Sequence, residues 1–309
     1  MNAVSRRPLP AARERSQRPR RLGAIVAVAM VVATAWMPVR AEVPARIVST
    51  SPSITETLFA LGLGDRVVGV STFCRFPEEV TQLPKVGTFL KPDAERIAAL
   101  RPDLVILQDV ASGLDRRLAS LAIPFATVDR GTLASVFSSV RQIARATSVE
   151  DRGEALVARI EARLAAVRRA GEASPRRRVL FIVGRRPGTL SDLVAVGPGS
   201  YLHELIAIAG GTNVMAIAGQ PEYPRISMET VLRLDPEVIV DTVDMGDDEA
   251  TRRQRMPVNV RLWSRYGGLT AVKTGRVHAA ANEALVVPGP RVVDAAEWVA
   301  AILRAEARP

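Results

Sequence analysis

The feature that most constrains this fold is an internal repeat of a helix-to-strand unit. Residues 95–106 (ERIAALRPDLVI) align with residues 229–240 (ETVLRLDPEVIV), and in each copy a glutamate precedes a proline, an acid and an apolar run. Because proline cannot continue a helix and β-branched residues favour strands, each copy predicts a short helix that stops before a buried strand. The copies lie 134 residues apart, too far for a solenoid repeat. The chain is therefore expected to contain two similar halves.

The rest of the chain alternates short apolar runs with helical patterns, which predicts an α/β fold. The runs that indicate strands are residues 46–49, 67–70, 104–107, 124–128 and 179–183. Residues 53–56 (SITE) have the pattern of a capping box, which predicts the start of a helix that ends at Gly62. A second helix is predicted over residues 133–146.

A longer helix is predicted between the two halves. Residues 150–170 contain no proline, and their apolar residues recur at spacings of three and four: Leu156, Ile160, Leu164 and Val167. This spacing is typical of an amphipathic helix of about five turns. The sequence therefore predicts four segments: a signal peptide (1–41), an N-terminal α/β lobe (42–148), a linking helix (149–172) and a C-terminal α/β lobe (173–309).

The basic charge of the chain is concentrated at its N-terminus. The formal net charge is +10, but residues 42–309 hold 34 basic and 31 acidic residues, a net of +3. A basic nucleic-acid-binding face is therefore not expected. The arginine-rich start, the apolar run 22–38 and Val39-Arg40-Ala41 have the pattern of a cleavable signal peptide, which predicts a periplasmic protein. A retained anchor is the alternative, and either the general or the twin-arginine route could export the chain.

The residues that catalysis or metal binding would need are scarce. Cys74 is the only cysteine and His203 and His278 are the only histidines, so an internal disulfide and a cysteine-rich zinc site are excluded. The nucleophile-elbow pattern G-x-S-x-G is absent. The chain is therefore expected not to be an enzyme and to have no metal site of its own. A secreted α/β hydrolase-type enzyme is the alternative from a different class.

Several motifs together resemble one known family. They are residues 46–56 (RIVSTSPSITE), 84–87 (PKVG), 199–202 (GSYL), 210–214 (GGTNV) and 288–291 (PGPR), besides the two copies of the repeat. In this combination the chain resembles the periplasmic solute-binding proteins of ABC importers for vitamin B12, haem and ferric siderophores. The resemblance covers nearly all of residues 42–309.

The resemblance implies a fold and a partner. It implies two Rossmann-like α/β lobes, with central sheets flanked by helices, joined by a single long rigid helix and holding the ligand in a cleft between them. It also implies that Glu95 and Glu229 dock on arginines of a dimeric ABC permease. The protein is expected to be a monomer that binds a small molecule and needs no cofactor.

The cleft is expected at the carboxyl ends of the strands, where open α/β sheets place their sites. Its candidate lining residues are Ser51, Ser53, Phe73, Thr88, Phe89, Gln108, Asp109, Arg185, Arg186, Tyr223, Asp241 and Pro288. The resemblance places Phe73, Phe89 and Tyr223 at positions where vitamin B12-binding relatives use aromatic rings, whereas a further aromatic position is Gln108 here. Flat rings suit a large macrocycle, so cobalamin or a related corrinoid is the leading ligand.

Two other ligands stay open. Haem would need an axial tyrosine or histidine, for which the candidates are Tyr201, Tyr223, Tyr266, His203 and His278. A ferric siderophore could pair its anionic oxygens with Arg185 or Arg186. The roles of Cys74, His203 and His278 are not fixed by the sequence.

Overall fold

A computed structural model describes residues 42–109, 112–242 and 249–305. The predicted signal peptide lies outside these ranges. The strands are β1 (Ile47–Ser49), β2 (Val67–Val70), β3 (Leu104–Gln108), β4 (Phe125–Val128), β5 (Arg177–Gly184), β6 (Leu193–Ala195), β7 (Gly211–Asn213), β8 (Arg225–Ile226), β9 (Val238–Thr242) and β10 (Val277–Ala280). The helices are α1 (Pro52–Ala60), α2 (Ala94–Ala99), α3 (Leu114–Ser120), α4 (Leu133–Ala146), α5 (Glu150–Glu172), α6 (Tyr201–Ile208), α7 (Met228–Leu234), α8 (Glu249–Trp263), α9 (Thr270–Lys273) and α10 (Val292–Arg304).

The first sheet is wholly parallel, with strand order β2-β1-β3-β4. Successive side chains of a strand point to opposite faces, so Ile47 and Val48 enter two different hydrophobic clusters. Helices α2 and α3 contribute Ile97 and Leu118 to the cluster that contains Val48. The opposite face packs against α1, α4 and α5. Helices on both faces are what a parallel sheet requires.

The second sheet is mixed, with strand order β10-β9-β5-β6-β8 and with β7 paired to β5. Strands β10, β9, β5 and β7 run parallel, whereas β6 pairs antiparallel with both β5 and β8. Residues 179–182 alternate between two clusters, since Val179 and Phe181 join one and Leu180 and Ile182 the other. Both faces of the sheet are therefore buried.

The internal repeat is a structural repeat. In each copy a short helix leads into a central strand, α2 into β3 and α7 into β9. Asp93 caps α2 and Ser227 caps α7, each accepting a hydrogen bond from a backbone N–H three residues later. The residues before the two prolines, Arg101 and Asp235, both take left-handed backbone conformations, with φ of 47° and 39°. The prediction of two similar helix-to-strand units is confirmed.

Helix α5 is the long helix that the apolar spacing predicts, and it lies in sequence between the two sheets. Its glycines allow close packing, because a Cβ on Gly153 would lie 2.5 Å from the Ala144 Cβ, and one on Gly171 would lie 2.8 Å from the Gly210 N. The α/β fold with two flanked sheets is confirmed. The lobe boundaries at residues 148 and 173 stay predictions. Within the described ranges, no helix is both long and apolar enough to cross a bilayer.

The predicted capping box at residues 53–56 is wrong. Helix α1 begins at Pro52, and its N-cap residue, Ser51, makes no side-chain capping bond. Ser53 therefore lies inside the helix, and Glu56 is buried and paired with Arg291 by bonds of 2.9 and 2.5 Å. Burial raises the pKa of the Glu56 carboxyl, and Arg291 opposes that shift. The buried pair fastens α1 to the start of α10, a long-range contact that the local pattern could not reveal.

Candidate ligand-binding cleft

The carboxyl ends of the first sheet's strands form one wall of a cavity of about 410 Å³. Ser51 follows β1, Phe73 follows β2, Gln108 ends β3 and Arg130 follows β4. The rest of the wall comes from other residues of the first half and from loops, the start of α6 and a 3-10 turn in the second half. The lining residues are Ser51, Pro52, Ser53, Phe73, Phe89, Gln108, Arg130, Gly131, Tyr201, Glu222, Tyr223, Glu283, Val286, Val287 and Pro288. The cavity lies at the strand ends where open α/β sheets place their sites.

Aromatic rings reach the cavity from both halves of the chain. Phe73 and Phe89 come from the loops after β2, and Tyr223 comes from the loop before β8. Phe73 keeps 42% of its surface exposed and Tyr223 39%. Large rings exposed in a concavity can bury that area only against a ligand or partner. The structure brings these three residues, which the resemblance placed in the cleft, to one cavity.

Three polar side chains of the cavity lining are held by hydrogen bonds to one another. Gln108 Nε2 donates to Ser53 Oγ over 2.9 Å, and Ser51 Oγ lies 3.2 Å from Ser53 Oγ. Both serines are buried. The amide of Gln108 is therefore oriented by α1, and within the described ranges its oxygen accepts no hydrogen bond from the protein.

Three charged residues line the cavity that the sequence did not single out: Arg130, Glu222 and Glu283. Glu283 accepts from Arg252 over 2.7 Å and from Arg75 over 3.4 Å, so its charge is compensated within the protein. Arg130 could have been found from the sequence, because it lies two residues after the end of β4. Glu222 lies in a loop and Glu283 begins a short 3-10 helix, and only the tertiary structure brings either of them to the cavity.

The two tyrosines that line the cavity differ in whether their hydroxyl groups are already hydrogen-bonded to the protein. The Tyr201 hydroxyl is buried and donates to the carbonyl of Leu285 over 3.2 Å. The Tyr223 hydroxyl has no such bond in the described structure. Burial raises the pKa of the Tyr223 phenol to about 12, the charge of Glu222 adds to the shift, and Arg130 opposes it. The phenol is therefore protonated at neutral pH.

Several predicted ligand residues lie outside the lining of this cavity. They are Thr88, Asp109, Arg185, Arg186 and Asp241. Asp109 instead lines a neighbouring surface cavity, and the Arg186 side chain pairs with Asp192 over 2.8 Å.

The Arg185 guanidinium is turned into the protein to meet Asp241. Its Nε donates to both carboxylate oxygens over 3.0 and 3.1 Å, and Trp263 Nε1 donates to the same carboxylate over 2.9 Å. The Asp241 side chain has no exposed surface, and the Arg185 side chain is 6% exposed. Neither side chain is therefore placed to contact a ligand in the cavity.

The cysteine and the histidines also lie away from the cavity lining. Cys74 is buried, with its Sγ 3.1 Å from Thr55 Oγ1 and 3.3 Å from Ser71 Oγ. Burial raises the pKa of its thiol, which disfavours the reactive thiolate. His203 lies on α6 and meets Asn213, whereas His278 lies in β10. Among the described residues, no cluster of three or more His, Cys, Asp or Glu side chains could hold a metal ion.

The two repeat glutamates are exposed at the starts of their helices. Glu95 lies in the first turn of α2 and Glu229 in the first turn of α7. Glu95 pairs with Arg117 over 2.9 Å across an exposed surface. Glu229 has no ionic partner among the described residues. Acids at these positions suit the helix dipole, so their exposure alone assigns no role.

Comparison with known proteins places the chain in a family. The family described as periplasmic binding protein matches residues 47–284. An uncharacterized ABC transporter substrate-binding lipoprotein of Bacillus subtilis strain 168 is 28% identical, over 83% of this chain and 79% of its own length. The vitamin B12-binding protein of Salmonella typhimurium strain LT2 is 30% identical, over 71% of this chain and 80% of its own.

A solved structure extends the comparison to the fold. The periplasmic haem-binding protein of Roseiflexus sp. RS-1, in its apo form, superposes with a TM-score of 0.72 at 29% identity. The match covers 84% of this chain and 97% of that one. These relatives are binding proteins rather than enzymes. This chain, with its two helix-flanked sheets and its cavity at the strand ends, belongs to the periplasmic binding protein family.

Proposed function

We propose that this protein captures a corrinoid, such as cobalamin, outside the cytoplasm and delivers it to an ABC permease. The observation that carries the proposal is the set of three rings, Phe73, Phe89 and Tyr223, that reach one cavity from two halves of the chain. A corrin is a broad, largely apolar macrocycle, and each ring buried against it contributes about 1–3 kcal/mol. A relative of similar length is named as a vitamin B12-binding protein.

The axial-ligand chemistry of the cavity also favours a corrinoid over haem. Haem iron in binding proteins is held by a side chain such as tyrosine or histidine. No histidine is among the lining residues, and the Tyr201 hydroxyl already donates to a carbonyl. Tyr223 is then the tyrosine of the lining whose hydroxyl makes no hydrogen bond in the described structure. Cobalt in cobalamin carries its own axial ligands and requires none from the protein.

Ring truncation tests the ligand site. We expect Phe89→Ala and Tyr223→Ala each to weaken cyanocobalamin binding by about 1–3 kcal/mol, because each removes ring area from the cavity. Calorimetric titration would measure the change in Kd. Phe125→Ala is the matched control, since Phe125 is a partly exposed ring on β4 outside the cavity lining. Equal losses in all three variants would contradict the assignment of the site.

Haem is the second candidate ligand. The observation that favours it is that Tyr223 lines the cavity and that its hydroxyl makes no hydrogen bond in the described structure, so it could serve as an axial ligand. Titration of the purified protein with hemin and with cyanocobalamin, followed by visible absorption, separates the two. A shifted haem spectrum that is lost in Tyr223→Phe, with no corrinoid binding, would overturn the corrinoid proposal. The same titration with a ferric siderophore tests the third ligand class.

The proposed location rests on the N-terminal pattern and on the family. Cleavage after Val39-Arg40-Ala41 is expected to leave a mature chain that starts at or near Glu42. Intact mass measurement on exported protein checks this. A soluble cytoplasmic protein that retains residues 1–41 would contradict both the cleavage site and the location.

We also propose that Glu95 and Glu229 dock on the permease. Both are exposed, and they occupy equivalent places in the two copies of the structural repeat. A dimeric permease has two equivalent surfaces, so two equivalent acids suit it. Arg117 already pairs with Glu95 and would compete with a permease arginine at that end, whereas Glu229 carries no such competitor in the described structure.

A further inference from the structure

The wall of the ligand cavity carries two opposite charges on facing loops. Arg130 comes from the loop after β4, and Glu222 comes from the loop before β8. Both also line an adjoining surface cavity of about 540 Å³. The loops approach closely, since a Cβ built on Gly131 would lie 3.7 Å from Glu222 Oε1. Both charges also act on the pKa of the neighbouring Tyr223 phenol. Burial is the largest cause and raises this pKa, Glu222 raises it further, and Arg130 lowers it.

Neither charge is fully engaged by the protein. Arg130 Nε donates to the Asp109 carbonyl over 3.1 Å. Over the ranges that the structure describes, its two terminal nitrogens make no hydrogen bond and the Glu222 carboxylate accepts none. The two side chains do not form an ion pair with each other. The cavity wall therefore presents cationic donors on one loop and anionic acceptors on the other, without bonds to the protein at these atoms.

One ligand group can bind both the cationic donor and the anionic acceptor of this wall. A primary carboxamide offers a carbonyl oxygen that accepts from Arg130 and an NH₂ group that donates to Glu222. A carboxylate satisfies Arg130 alone and is repelled by Glu222, whereas an amine satisfies Glu222 alone and is repelled by Arg130. Both side chains are exposed in the free protein, so a ligand that covers them must replace their contacts with water by hydrogen bonds of its own.

We propose that Arg130 and Glu222 form a subsite for a primary carboxamide on the rim of the ligand. The inference rests on the proposed function, because a corrinoid carries carboxamide side chains around its ring whereas haem carries carboxylates. The subsite selects by charge as well as by hydrogen bonding, since Glu222 disfavours the carboxylate analogue. Arg130 and Glu222 are therefore specificity-determining residues for the side chains of the macrocycle, while the aromatic rings bind its face.

The test compares two corrinoids that differ in their side chains. Dicyanocobinamide carries carboxamides, and dicyanocobyrinic acid carries carboxylates on the same macrocycle. The measured quantity is the ratio of the Kd of the acid to the Kd of the amide. We expect Glu222→Gln to lower this ratio about tenfold, because the repulsion of the carboxylate is removed. Arg130→Gln is expected to raise the ratio, because the acid loses its cation. Glu161→Gln, an exposed residue of α5, is the charge-matched control and should leave the ratio unchanged.

Opposite shifts in the two variants distinguish recognition from a structural effect, since a distorted cavity would change both ligands together. If the wild type binds the corrinoids and neither variant changes the ratio, or both change it in the same direction, the subsite is wrong and the proposed function stands. If the wild type binds neither corrinoid, the proposed function fails and this inference fails with it.

Discussion

The double variant Glu95→Arg with Glu229→Arg is expected to abolish ligand uptake while the protein still binds its ligand with near wild-type affinity. Both glutamates are exposed and lie outside the cavity lining, so the change should not reach the site. Two weak contacts on one rigid body reinforce each other through effective concentration. Charge reversal adds repulsion against a permease arginine, which is more decisive than the loss of an exposed pair.

The two single variants should not be equivalent. Glu229→Arg is expected to reduce uptake more than Glu95→Arg, because Glu95 is partly occupied by Arg117 in the free protein. Arg117→Ala, which removes that competitor, is expected to strengthen association with the permease, and high salt should weaken it in every variant. Transport into proteoliposomes and ligand calorimetry on the same preparations provide the two measurements.

The control for docking is a second double reversal, Glu161→Arg with Glu172→Arg. Both residues are exposed on α5, so the net charge changes equally while the repeat glutamates are preserved. If the Glu95 and Glu229 double variant supports uptake at the wild-type rate, the two glutamates do not dock on the permease and only interact favourably with the dipoles of their helices.

The strands and long helices could be predicted from the sequence because local pattern determines them. Helix α4 begins and ends at the predicted residues 133 and 146, and β2 covers the predicted residues 67–70. The repeat also placed Glu95 and Glu229 correctly in the first turns of their helices. In each case the apolar spacing and the flanking residues agree with the tertiary environment.

The side-chain partners could not be predicted, because they depend on contacts between distant segments. Glu56 has the spacing of a capping residue, yet it pairs with Arg291, 235 residues away. Arg185 follows a strand of the second sheet, as a cleft residue would, yet it turns inward to Asp241. The aromatic residues of the cavity were identified through the resemblance, whereas Glu222 lies in a loop without any sequence pattern. A single sequence predicts position along the fold better than side-chain direction.

The buried pair of Asp241 and Arg185 leads to the largest expected change in stability. Asp241→Asn keeps the size of the side chain but leaves the guanidinium of Arg185 buried without its counter-charge. Removing one partner of a buried ion pair costs about 3–5 kcal/mol. Burial raises the pKa of the Asp241 carboxyl, and Arg185 and Trp263 oppose that shift, so its ionised form depends on these two partners. We expect the free energy of unfolding in urea to fall by about 3 kcal/mol.

The ion pair of the neighbouring arginine, Arg186, provides a matched control. Asp192 also pairs with an arginine, Arg186, but both side chains are largely exposed. Asp192 has a φ of 53°, a conformation that asparagine tolerates well. Asp192→Asn is therefore expected to change the free energy of unfolding by less than about 0.5 kcal/mol. Double substitution of Asp241→Asn with Arg185→Met should recover part of the loss, because an apolar side chain of similar length leaves no buried charge. If the double variant is no more stable than Asp241→Asn alone, the loss of stability arises from the hydrogen bond of Trp263. It would then not arise from the unpaired, buried guanidinium of Arg185.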